Sequence, residues 1–247
     1  MKNLISIRTI LFLFVCTMFL ISCEKQEVNN ELSDTNEQEN FMSTTGKSDA
    51  VLTLDDYEIN QPLVHLRFDG DLSKAEADAK FDEAVLAYKS KHLTQTKSNT
   101  TEWFYRLTTK TGTQRHAKTD GKVMAVVSFN TRWGGNVTSF NVLDNPGNDR
   151  EGGWDYYLLK AASNSSLGVK WVEFDKAIIY LQGMDEWFVE EFNLYMWNWD
   201  NPTASGLTTI QTSPNVWLDN RTSTGIDSYD SGFVGKGRVT FPNDAPF

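Results

Sequence analysis

Residues 106–127 read RLTTKTGTQRHAKTDGKVMAVV. Two runs of strand-like alternation flank a polar gap, KTGTQRHAKTD at 110–120. Read as a hairpin loop, the gap pairs its two flanks within one antiparallel sheet. Asp120 then stands just before the second strand. There its carboxylate can fix the turn by accepting backbone N–H groups, or serve as a cation ligand.

Working outward, the pattern on both sides is that of an all-β unit. Trp103, Tyr105 and Leu107 alternate with more polar neighbours, and so do Val123, Ala125, Val127 and Phe129. Met124 and Val126 make the opposite face of the second strand apolar as well, which places it under a cover, either a helix at 73–91 or strands within 51–68. Further strands are expected near 136–143, 154–160, 169–174, 177–182 and 187–196, with one or two more in the tail. Along WFVEEFNLYM the phase slips between Val189 and Phe192, so a bulge is expected at Glu190–Glu191. One helix is expected over 73–91: Ser73 and Glu76 fit a capping box, and Ala77, Phe81, Val85 and Tyr88 recur at helical spacing.

The N-terminus has a different character. Lys2 and Arg8 precede the apolar run TILFLFVCTMFLIS, which ends at Cys23. This run is short for a permanent span and suits a signal peptide. LISC resembles a bacterial lipobox, which implies cleavage before Cys23 and lipid on that residue. The expected organisation is a lipoprotein signal over 1–22, then lipidated Cys23 and an acidic disordered tether over 23–50. Short strands with the 73–91 helix follow over 51–101, then a β-sandwich with a C-terminal extension over 102–247. The tether is acidic and rich in Asn and Gln, too poor in apolar groups to offset its ordering entropy. About 27 such residues span roughly 30 Å. The resulting localisation is the cell envelope, anchored to the outer membrane, with the acids after Cys23 resembling a surface-export signal.

Charge and cysteine content exclude several functions. The chain carries 33 acidic and 23 basic residues, a net charge of −10. Removal of Lys2 and Arg8 with the signal leaves 21 basic groups and a net charge of −12. That balance argues against nucleic acid as a partner. With Cys16 lost and Cys23 acylated, the mature chain has no thiol for a disulfide, a nucleophile or a zinc site. The three histidines, at 65, 92 and 116, have no metal spacing. No nucleophile elbow, P-loop, zincin or EF-hand motif is present. Glu190 and Glu191, as strand neighbours, point to opposite faces unless a bulge intervenes. The chain is therefore read as a non-enzyme.

Three segments in order resemble the PLAT domain, also called LH2, of lipoxygenases, some lipases and polycystins. YRLTTKTGTQRHAKTDGKVMAVVSF is similar to its first hairpin. NPGNDREGGWDYYLL is similar to the Gly-x-x-Asp-x-aromatic approach to its middle strand, through Gly152, Asp155 and Tyr157. VKWVEFDKAIIYLQGMDEWFVEEFNLY is similar to its closing hairpin, with Trp187, Phe188, Val189 and Glu190. Lys118 stands where the family has Gly, and about fifty residues follow the last matching strand.

The resemblance implies an antiparallel β-sandwich of two sheets of about four strands, with the N-terminal helix packed on it. It also implies recognition of a lipid or protein partner through loops gathered at one end, in some members with calcium. The candidate calcium ligands are Asp120, Asp149 and Asp185, from loops 112–120, 144–151 and 183–186. Calcium takes roughly six to eight oxygens from such flexible loops. Eight tryptophans give a second possibility. Trp103, Trp154, Trp171 and Trp187 fall in strands and are expected in the core. Trp133, Trp197 and Trp199 fall at loop or strand ends and are candidate ligand contacts. Exposed Trp also suits a glycan, so a carbohydrate-binding surface lipoprotein is the alternative function.

Overall fold

The computed structural model describes residues 59–92, 103–132, 136–144, 152–161, 168–197 and 205–246. Their strands are β1 (Ile59–Asn60), β2 (Val64–Asp69), β3 (Phe104–Thr111), β4 (Lys122–Thr131), β5 (Asn136–Asp144) and β6 (Gly153–Lys160). They continue as β7 (Gly168–Gln182), β8 (Glu186–Trp197), β9 (Ser205–Thr212), β10 (Val216–Asp219), β11 (Ile226–Asp230) and β12 (Lys236–Pro246). The helix α1 (Lys74–His92) lies between β2 and β3. Its capping box forms as the sequence requires. The Ser73 hydroxyl donates to Glu76 at 2.6 Å, and the Glu76 N–H donates back to Ser73 at 3.3 Å. That bonding lowers the pKa of the Glu76 carboxyl.

The chain is mainly β, but it is one curled half-barrel rather than two separate four-stranded sheets. The order is β1-β5-β4-β7-β12-β9-β8-β3-β6-β2, with β10 on β8 and β11 on β7. Every pairing is antiparallel except the short β1–β5 contact. Two layers still face each other. Val123, Ala125, Val127, Phe129, Ile179 and Leu181 of one meet Trp103, Tyr105, Leu107, Tyr157, Trp187 and Leu194 of the other in a single core. What joins the layers is β12. It pairs with β7 through Val239↔Val172 and with β9 through Lys236↔Thr209, and β9 pairs with β8. The last forty residues thus close one side, which a free-standing sandwich leaves open.

The topology corrects both hairpins read from the sequence. β3 pairs with β6 and β8, never with β4, whose partners are β5 and β7. The 112–121 gap therefore carries the chain from one layer to the other. β7 and β8, joined by 183–185, likewise lie in opposite layers. Alternation identifies strands and their buried face but not their partner, and the long 112–121 connection exceeds the usual hairpin loop. The expected split at 175–176 is instead a register shift within the continuous β7, opposite Ser128 and Phe129.

The cover expected over β4 is also elsewhere. α1 packs Ala77, Phe81 and Val85 on Phe104, Trp154, Tyr156 and Leu158 of β3 and β6, with β2 beside them. Met124 and Val126 bury themselves among same-face neighbours, Phe140, Ile178 and Tyr180. The bulge does form. Lys110 faces Glu191 and Thr111 faces Val189, so Glu190 is the extra residue. Trp103, Trp154 and Trp187 are buried as expected, and the Trp187 indole N–H donates to Thr111 at 2.8 Å. Trp171 is only half-buried, with the Arg238 guanidinium 4.3 Å from its ring centre.

Residues 59–92 enter the same sheet, β1 on β5 and β2 on β6, so they are built into the half-barrel. Among the described residues no helix is long and apolar enough to cross a membrane.

Candidate functional site

The strand directions put three layer-crossing turns at one end: 112–121 between β3 and β4, 183–185 between β7 and β8, and 220–225 between β10 and β11. Each turn would leave backbone N–H groups without ladder partners, and such groups need acceptors. Asp185 supplies them. Its Oδ2 accepts from Asp120 N at 2.7 Å, from Gly121 N at 3.2 Å, and from the Thr119 hydroxyl. Its own carbonyl accepts from Asn220 N at 2.9 Å. The Asn220 side chain donates to Leu181 O at 2.7 Å, and Gly183 N donates to Gly225 O at 3.1 Å. Phe188 extends the lacing: its carbonyl accepts from Gly112 N at 3.1 Å, and its N–H donates to Ala117 O at 3.0 Å. Three turns are thereby fixed to one another.

Burial raises the Asp185 pKa, but the bonds from Thr119, Glu186 and Asp120 outweigh it, and the net shift is downward. The sign follows: the clamp contributes fully above the ordinary carboxylate range and is lost as pH falls through the lowered value.

Two of the expected calcium ligands therefore meet, in unequal roles. Asp185 provides the carboxylate, whereas Asp120 provides its backbone N–H and is itself exposed. The Asp185 carboxylate fixes the turn in which Asp120 stands. Asp149 lies outside the described residues. Among the described residues no group of three His, Cys, Asp or Glu side chains is placed to hold a metal ion. Three donors converge on Asp185 Oδ2, and together they clamp the turn.

Trp133 and Trp199 lie outside the described residues, as does Cys23; of Trp197 only the backbone, at the end of β8, is described. The strand termini that flank Trp133 and Trp199 belong to the opposite end, away from Asp120 and Asp185.

Two other features were missed in the sequence. The first is a polar seam on the side that β12 does not close. Asp155, fully buried, accepts from Arg67 Nε at 2.9 Å and lies 2.9 Å from His65 Nε2. Arg67 reaches Asp144 of β5 at 3.2 Å, tying the two layers together. Farther along the seam the Tyr105 hydroxyl, Ser139, Asn141 and Asn60 are hydrogen-bonded to one another. The signal was available: an Asp inside the apolar strand GWDYYLL needs a cation when buried. The second is Trp217, 42% exposed. Val216 and Leu218 pack inward, so Trp217 must point out, and the alternation of VWLD would have found it.

No family model matches the chain, and no curated protein matches it. Solved structures with some likeness include a LOX variant in complex with arachidonate, at 16% identity and a TM-score of 0.33. That match covers 57% of this chain and 16% of the LOX chain. Another is Clostridium perfringens alpha-toxin from an avian strain, at 17% identity and a TM-score of 0.34, covering 65% of this chain and 43% of the toxin. This chain therefore spans less than half the length of these structures, and scores this low carry no argument about what it binds.

Proposed function

We propose that the chain is a non-enzymatic recognition module, held at the outer membrane by lipid on Cys23, whose laced end meets a lipid interface. The observation that carries the reading is Met184. It sits at the tip of the 183–185 turn with 71% of its surface exposed, on backbone fixed by Asp185 and Gly225. Ile226, opposite Gln182, is a second exposed apolar residue beside it. Keeping such groups in water forgoes about 25 cal/mol per Å² of burial. A rigid turn prevents them from folding back, and a lipid interface offers the burial instead.

One or two side chains give weak binding by themselves. An anchor changes that, because a tethered second contact benefits from high effective concentration and stable attachment takes two signals. No step in this reading passes through calcium.

The test places an environment-sensitive dye at Met184→Cys in the lipidated full chain reconstituted in phosphatidylcholine–phosphatidylglycerol vesicles. A dye at Leu86→Cys, on the exposed face of α1, is the control. The expected result is a blue shift at 184 and none at 86. Two unshifted labels, or two equal shifts, would sink the proposal. A parallel run with millimolar calcium shows whether the cation changes the contact.

A further inference from the structure

The outer face of β3, β8 and the adjoining β9 and β10 carries a line of side chains outside the central core. It starts at Trp217, whose ring lies 5.1 Å from that of Phe188 and inclined at 57°. Beneath them is Gly112. A Cβ there would stand 2.5 Å from Phe188 Cδ1 and would collide with Gln114 Oε1, so the missing side chain lets ring and carboxamide share one spot. The bulge then matters. Lys110 and Glu191 are direct partners across the ladder and share a face. Glu190 bonds the same Lys110 at 2.6 Å, so both carboxylates lie on this outer face, where simple alternation would have separated them. Farther on, Gln211 of β9 donates to the Tyr195 hydroxyl. From Phe188 to Tyr195 the line runs roughly 20 Å along β8.

We propose that this strip binds a neutral polysaccharide chain. An aromatic ring flanked by carboxamide and carboxylate groups matches a sugar ring, which has an apolar C–H face and a rim of hydroxyls. Carboxylates accept hydroxyl hydrogen bonds more strongly than neutral groups do. Glu190 is paired with Lys110, so it is the chain's net charge of −10 that disfavours acidic polysaccharides and nucleic acids. The strip lies along strands, so it suits an extended ligand better than one ring in a pocket. Trp217 stands within β10 and Met184 in the 183–185 turn, so this inference stands independently of the lipid reading.

The experiment is isothermal calorimetry of the full chain against neutral hexasaccharides of gluco, xylo and manno configuration, α- and β-linked. One series binds, and its hexamer binds more than about tenfold tighter than its dimer. Trp217→Ala weakens that binding more than about tenfold, and Gln114→Ala, in an exposed turn, weakens it measurably. Met184→Asp leaves it unchanged, which separates this site from the lipid contact. The inference is overturned if no series gives heat, if Trp217→Ala and Gln114→Ala bind like the parent, or if only an acidic polysaccharide or a peptide binds.

Discussion

A chain ending at Pro202 does not fold cooperatively. Such a truncation removes β9 to β12 and leaves whole edges of β7 and β8 without partners. It also removes Ile210, Leu218 and Val239, all buried in the central core. At about 1.5–3 kcal/mol per fully buried aliphatic side chain, these three alone account for about 5–9 kcal/mol. Entire domains are stable by only about 5–15 kcal/mol. Urea unfolding followed by tryptophan fluorescence checks this. The full chain gives one sigmoidal transition and the truncated chain a shallow drift. A sharp transition in the truncated chain would mean that residues 102–196 close a sandwich by themselves, as the PLAT resemblance implies.

Arg67→Leu is the second large effect. Arg67 connects Asp144 and Asp155, whose side chains are 3% and 1% exposed. Removing the cation leaves two buried carboxylates facing a neutral side chain, with His65 still at Asp155. Breaking a buried ion pair from one side costs about 3–5 kcal/mol. For a domain of this size that corresponds to a melting temperature lower by roughly 10 °C. Arg67→Lys keeps the charge but not the forked geometry, and falls between the two. Thermal melts followed by circular dichroism at neutral pH measure both substitutions. A melting temperature within about 2 °C of the parent at neutral pH would show that the seam does not hold the layers together.

Local physics was readable in the residues. Ser73 and Glu76 announce the helix start, Val123 to Phe129 announce an inward face, and the phase slip at Glu190–Glu191 announces the bulge. Each of these depends on neighbours within a few positions. Which strand pairs with which was not readable, because the same alternation serves any partner. The C-terminal strands were under-read for another reason. SGLTTIQT and IDSYD bury few side chains, since they seal an edge rather than fill a centre. Trp217 is exposed from within a strand, so position in a loop is no guide to it.

At the candidate site, the sequence located Asp120 and Asp185 in turns but not the division of labour between them. A carboxylate and a backbone N–H from distant turns meet only once the layers are crossed. The laced end, and the exposure of Met184 upon it, follow from that crossing.

The crossing itself is the claim on which these readings rest. Interstrand amide and Hα contacts of Leu107 and Val126, measured by nuclear Overhauser spectroscopy on the isotope-labelled full chain, test it directly. The predicted result is that Leu107 contacts Tyr157 and Leu194, and Val126 contacts Phe140 and Ile178. Contacts running directly between 104–111 and 122–131 would make the 112–121 stretch a hairpin loop and contradict the account.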